Sequence, residues 1–299
     1  VLSLISLTLL FAVSSTANYS EGVAAYQAKN YAEAVTQFQA AIEELKRAGA
    51  EEDPQYQPYY LMLGNSLSKS GKHKEAIAPL QTALRLKDGD MGTQLTLGQT
   101  YYRLEQYSEA AGILGKVDLS SLPKSAQGAI SNMLSVCYEK SGNSGLALAN
   151  MERAAQLNPD DAASQFNYGT KALAAGYTDD AVKALQKAVA LEGSDPAKVR
   201  AYLNALVLKG RETTNKTSKK AVYEKAVPVA TALSKMLPTY DSYLQLAEAQ
   251  LGAQQYSGAA TTLDRTIAKK SSDWLPYFYK GQAYTALNQY SDAVAPLEA

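Results

Sequence analysis

Apolar and small residues recur along the chain at helical spacing. Tyr60, Leu63, Gly64 and Leu67 fall on one face of a first segment, and Ala76, Leu80, Ala83 and Leu84 on one face of a second. This is the i, i+3, i+4, i+7 pattern of amphipathic helices. Gly71, Gly142, Gly176 and Gly210 stand where such first helices should end, as left-handed terminating residues would. Pro159, after Leu157 and Asn158, closes a second helix, because a ring without an N–H cannot continue it. The predicted unit is a helix, a turn and a helix.

That unit repeats. Gly64 to Gly98, His73 to Tyr107, Ala76 to Ala110 and Leu80 to Leu114 are each 34 residues apart. The same interval links Ser135 to Gly169, Ala147 to Ala181, Met151 to Leu185 and Ala154 to Ala188, and later Ala247 to Gly281, Tyr256 to Tyr290 and Ala259 to Ala293. Gly64 and Ala76 are small because two closely crossing helices leave no room for a longer side chain. The pattern divides residues 18–299 into eight units: 18–56, 57–90, 91–126, 127–161, 162–195, 196–238, 239–272 and 273–299. Extra residues separate units one and two around Ala48–Pro54, and units three and four around Ser120–Pro123. Unit six is the least typical. Leu203 fills its small slot, a polar insertion at 211–218 is expected to split its helices, and Pro228 falls inside the second of them. Pro79 and Pro296 share one register in their own units.

This arrangement resembles the tetratricopeptide repeat family, whose period is about 34 residues. The resemblance implies an all-α fold, a right-handed α-solenoid of stacked helix-turn-helix repeats, in which each repeat buries a face against the next. It also implies that the first helices line a concave groove that binds peptide segments or other proteins. Carried over slot by slot, the groove residues are Tyr19, Val23 and Tyr26, then Leu61 and Asn65, then Leu95, Gln99 and Tyr102. They continue as Asn132 and Val136, Phe166 and Thr170, Arg200 and Asn204, Leu244 and Glu248, and Phe278 and Gln282. Rings and methyl groups would bury side chains of an extended or helical peptide while the amides satisfy its backbone. Some family members read a C-terminal carboxylate with a set of Lys, Asn and Arg. Arg200 and Asn204 resemble half of that set, but Gln245, Trp274 and Tyr279 follow where the rest should be, so this specificity is not expected.

The N-terminal segment Val1 to Val13 is an apolar run followed by Ser14, Ser15, Thr16 and Ala17. It reads as the apolar region and small-residue cleavage site of a secretory signal over residues 1–17, which places the protein outside the cytoplasm, in a bacterial periplasm or secreted. The run is shorter than the ~20 residues of a spanning helix, so no membrane span is expected in the mature chain.

Composition narrows the chemistry. Lys plus Arg and Asp plus Glu are 29 each, so no global field gathers nucleic acid or an anionic membrane. One His and one Cys leave no internal disulfide and no metal site that needs several imidazoles or thiolates. His73 stands where other units place Tyr31, Tyr107, Tyr256 and Tyr290, and Cys137 aligns with Ala24, Ser66, Ala205, Ala249 and Ala283. Both read as packing residues. Asp88 and Asp90 lack the further acidic ligands of a calcium loop. A basic run from Lys198 to Lys225 can hold an acidic partner or a membrane phosphate, but most such runs are solvated surface. The expected function is a non-enzymatic protein- or peptide-binding scaffold with no cofactor, no metal and no nucleic-acid partner. Two alternatives stay open, an accessory region of an enzyme whose catalytic domain lies beyond residue 299 and a self-associating assembly factor. Oligomeric state is left undetermined.

Overall fold

The computed structural model describes the backbone of residues 2–298 and the side chains of residues 13–294. The described residues are all-α, with sixteen α-helices and two short 3-10 helices. The helices come two to a repeat: α1 (Leu2–Gln27) and α2 (Tyr31–Arg47), α3 (Gln57–Lys69) and α4 (His73–Leu86), α5 (Met91–Arg103) and α6 (Tyr107–Leu114), α7 (Lys124–Lys140) and α8 (Ser144–Leu157). They continue as α9 (Ala162–Ala174) and α10 (Thr178–Leu191), α11 (Pro196–Glu212) and α12 (Lys216–Met236), α13 (Tyr240–Gly252) and α14 (Tyr256–Lys269), α15 (Trp274–Ala286) and α16 (Tyr290–Glu298). The chain forms two compact units, Val1–Ala154 and Ala155–Ala299.

One kind of contact closes the hairpins of repeats one, two, three and five. A large side chain on the second helix presses on a small residue of the first, 16 positions earlier: Phe38 on Gly22, Leu80 on Gly64, Leu114 on Gly98 and Leu185 on Gly169. A Cβ built on Gly64 would lie 2.4 Å from Leu80 Cγ, so no larger residue fits there without moving the helices apart. Phe38, Leu80, Leu114 and Leu185 are fully buried, each adding about 1.5–3 kcal/mol of apolar burial.

All the first helices except α11 end in one way. At Gly71 the chain turns left-handed, with φ at 82°. The Lys72 N–H then reaches back to the Leu67 carbonyl at 2.9 Å, and the Gly71 N–H to that of Ser68 at 3.2 Å. These two bonds satisfy carbonyls that the helix end leaves open. Gly142 and Gly176 repeat the turn, and Lys29, Glu105, Gln254 and Asn288 adopt it in repeats one, three, seven and eight despite their side chains.

Gly210 does not. It lies inside α11, is buried, and faces the Tyr223 ring, whose nearest atom is 2.6 Å from where a Cβ would stand. Gly252 of α13 meets the same ring at 2.3 Å. This glycine is present for the missing side chain, not for a left-handed turn. The insertion does not split the hairpin either: it lengthens it. Arg211 and Glu212 belong to α11, Lys216 to Ser218 to α12, and only 213–215 break the two. Asn215 caps the new helix by accepting from the Ser218 N–H at 2.9 Å. Pro228 lies inside α12 and Pro79 inside α4, as expected, while the side chain of Pro296 lies outside the described residues.

At the N-terminus α1 runs on through Ala17 without a break. Ser15 is fully buried and donates to the Ala41 carbonyl of α2 at 3.0 Å. It precedes Gly22 by the seven residues that separate Gln57, the first residue of α3, from Gly64. Among the described residues, no helix is long and apolar enough to cross a membrane.

Candidate functional site

In the first unit the predicted groove residues sit on α1, α3, α5 and α7. Tyr26 and Tyr102 are half-buried near the ends of α1 and α5. Each is held edge-on by the tyrosine that opens the following helix, Tyr26 by Tyr31 at 5.4 Å and Tyr102 by Tyr107 at 5.9 Å between ring centroids. Burial raises the pKa of both phenols, with a smaller push from Tyr31 on Tyr26 and from Cys137 and then Tyr107 on Tyr102. In repeat two the same two slots hold Ser68 and His73, whose Oγ and Nδ1 are 3.5 Å apart. Tyr19 is different. It stacks on Tyr59 at 4.1 Å and tilts against Phe38 at 5.5 Å, so it is packed between the first two repeats. Leu61, Asn65, Asn132 and Val136 are half-buried, and Gln99 is exposed.

Asn65 Oδ1 accepts from Thr96 Oγ1 at 2.9 Å, which joins α3 to α5. The second unit repeats the bond in the same slots: Asn204 Oδ1 accepts from Gln245 Nε2 at 2.8 Å, joining α11 to α13. In each case the residue after the small slot of one repeat is tied to the residue two before the small slot of the next. Sequence reading placed Asn65 and Asn204 on the inner face but gave them no partners in the array. The signal was a second polar side chain at Thr96 and Gln245.

Charged side chains meet the rest of the second-unit lining. Lys198 Nζ lies 5.5 Å from the centre of the half-buried Phe166 ring, a cation–π distance. It also pairs with Glu192 and Asp195 at 3.0 and 2.6 Å. Glu248 receives two bonds from Arg211, at 2.8 Å from Nε and 2.6 Å from Nη2. These bonds raise the guanidinium pKa further. Arg200, Asn204 and Gln282 are exposed. Phe278 is 40% exposed and stands edge-on to Trp274, which is 68% exposed, at 5.9 Å.

The residues given packing roles behave accordingly. His73 opens α4 and is half-buried. Cys137 is fully enclosed, and burial pushes its thiol up to about 11, far from the thiolate range a nucleophile needs. Asp90 caps α5 by accepting from the Thr93 N–H at 3.0 Å. No group of His, Cys, Asp and Glu able to hold a metal occurs among the described residues. Of the basic run, Lys209 pairs with Asp179 at 2.8 Å and Lys220 with Glu224 at 3.8 Å. Together with Lys198 and Arg211 this neutralises much of the patch.

Tetratricopeptide repeat family models match residues 13–88 in one case and 61–120, 138–198 and 244–299 in another. The stretch that neither covers after 198 contains the lengthened hairpin. No curated protein matches in sequence. Among solved structures, YrrB, described as a TPR protein with an unusual peptide-binding site, is 22% identical, with a TM-score of 0.51 over 69% of this chain and 94% of its own. A tetratricopeptide repeat protein from Parabacteroides merdae ATCC 43184 is 12% identical, with a TM-score of 0.49 over 90% of this chain and 98% of its own. MamA from Desulfovibrio magneticus RS-1 is 16% identical, with a TM-score of 0.49 over 61% and 97%.

Proposed function

The chain belongs to the tetratricopeptide repeat family, a family of protein-interaction scaffolds, and from that premise we propose that it is a non-catalytic scaffold which holds a peptide segment of another protein against its first helices. The observation that carries this reading is the pair Tyr26 and Tyr102. Each offers a partly exposed ring that the next helix already holds in one orientation. A fixed ring loses little freedom on binding, and tyrosine is among the residues that dominate interfaces. Leu61, Asn65, Gln99 and Asn132 line the same face in the first unit, and Phe166, Arg200, Asn204, Phe278 and Gln282 the corresponding face in the second. Asn65 and Asn204 keep an amide N–H2 for a peptide backbone after their carbonyl oxygens are used. Tyr19, spent on packing, supports the face instead of anchoring a ligand.

The test begins with selection of peptides from a randomised library on the immobilised protein. Selected peptides are then titrated against the wild type, Tyr26→Ala, Tyr102→Ala and a Lys219→Glu/Lys220→Glu variant. Each tyrosine loss should weaken binding by roughly 1–2 kcal/mol, and the charge reversal should leave it intact. Loss only in the charge-reversed protein would move the site to α12.

We also propose that the protein works outside the cytoplasm. The support is the apolar run ending at Val13 and the small residues Ser14 to Ala17. Sequencing of the mature N-terminus should find a start at Asn18 or close to it, and an intact leader on cytosolic protein would defeat the assignment. Removal of Ser15 with a leader would take from the Ala41 carbonyl the side-chain bond that it accepts besides its helical one.

A further inference from the structure

The hairpin of repeat six reaches further than the others. Tyr223 stands three residues before the fully buried Ala226, the slot that Tyr31, His73, Tyr107, Thr178 and Tyr256 hold before Ala34, Ala76, Ala110, Ala181 and Ala259. Those residues open α2, α4, α6, α10 and α14, whereas α12 begins at Lys216, seven residues before Tyr223. At about 1.5 Å per residue the added two turns lengthen the helix by about 10 Å. The base of this extension is braced on both sides. Lys209 pairs with Asp179 at 2.8 Å, Glu212 accepts from Thr178 Oγ1 at 3.1 Å, and Arg211 binds Glu248. These contacts use Asp179 and Glu248 and hold the hairpin between α10 and α13.

The tip carries charge that the fold does not use. Residues 214–218 are all exposed, and Lys216, Lys219 and Lys220, three and four residues apart, share one face of α12. Lys216 and Lys219 have no ion-pair partner among the described residues, and Lys220 reaches Glu224 only at 3.8 Å. In α2, α4, α6 and α10 the first turn holds an acid: Glu33, Glu75, Glu109, or the pair Asp179 and Asp180. The first turn of α12 has none. The positive end of a helix dipole favours acids and disfavours lysines, so the fold gains nothing from cations at this end.

Two features indicate what the tip meets. No large apolar side chain is exposed between Leu191 and Met236, so the tip lacks the desolvated centre on which a protein partner packs. Its free cations are lysines, which are compact point charges. They lack the planar fork with which arginine seats a carboxylate, and the nearby Arg211 is taken by Glu248. We propose that the tip of the repeat-six hairpin docks on an anionic lipid surface, with Lys216, Lys219 and Lys220 among the headgroup phosphates. Each lysine at such a surface strengthens partitioning roughly fivefold, and the three together about a hundredfold. The lysines stand on a second helix, so this proposal and the peptide-binding reading stand or fall separately.

The test sediments the full chain with phosphatidylglycerol vesicles and with phosphatidylcholine vesicles. At low salt the wild type should partition onto phosphatidylglycerol about a hundredfold more strongly than onto phosphatidylcholine, and the difference should shrink as salt rises. Lys219→Gln should lower the phosphatidylglycerol partition about fivefold. Lys216→Gln/Lys219→Gln/Lys220→Gln should abolish the preference with no fall in denaturant midpoint, because these cations do not stabilise the helix. Lys74→Gln/Lys116→Gln/Lys187→Gln removes the same charge from exposed positions elsewhere and should leave the preference in place. Equal partition onto both lipids, or the same loss in both triple variants, overturns the proposal. So does binding to poly-glutamate that only the tip variant loses, without a preference for phosphatidylglycerol, a result that would assign the lysines to an acidic polypeptide.

Discussion

The residue that ends each first helix shows what a side chain costs in a left-handed turn. Gly71, Gly142 and Gly176 adopt positive φ freely, whereas Glu105 and Gln254 hold it at 59° and 63° with a Cβ against the following carbonyl. Gln254 is exposed, so Gln254→Gly removes that conflict and little else. It should raise the denaturant midpoint of the second unit by the equivalent of up to about 1 kcal/mol. An unchanged or lower midpoint would mean that the turn is not strained there. The slot was legible in the sequence wherever glycine filled it, and the non-glycine examples follow from the 34-residue register. Gly210 was not legible, because glycine serves both a left-handed turn and a close approach. Only the Tyr223 ring against its Cα decides which.

At the scale of the helix, the paired small and large slots carry the fold. Ala181 is fully buried at the start of α10, and Ala181→Trp should overpack the hairpin at a cost on the order of 1–3 kcal/mol or more. Repeats couple mainly to their neighbours, so hydrogen exchange within the second unit should accelerate first in repeats five and six and least in repeat eight. Uniform acceleration would contradict the nearest-neighbour account. The hairpins were readable from apolar periodicity, and the longer one in repeat six was misread for a physical reason. Its insertion is polar but contains no proline or glycine, and Arg211, Glu212 and Lys216, which propagate helices well, flank the short break at 213–215. Polarity suggested a loop, while propensity and the Asn215 cap extended both helices.

For the molecule as a whole, the repeat period specified the family and the identity of the first-helix face. It did not specify how that face is divided between holding repeats together and meeting a ligand. Tyr19 and Tyr26 occupy equivalent faces of one helix, yet one is stacked into the array on Tyr59 and the other stands partly free beside Tyr31. The difference depends on the offset between successive hairpins, which a single repeat does not encode. The same offset spends the carbonyl oxygens of Asn65 and Asn204 on cross-repeat bonds, and in the second unit it brings Arg211 onto Glu248. The central claim is that ligands meet the first helices. Backbone amide shifts of labelled protein, followed by NMR as a library-selected peptide is added, test it most directly. The account predicts that the largest perturbations in the first unit fall on α1, α3 and α5 around Tyr26, Asn65, Gln99 and Tyr102, with α2, α4 and α6 little changed. Perturbations confined to α2, α4 and α6, or to Lys216–Lys225 of α12, would contradict it.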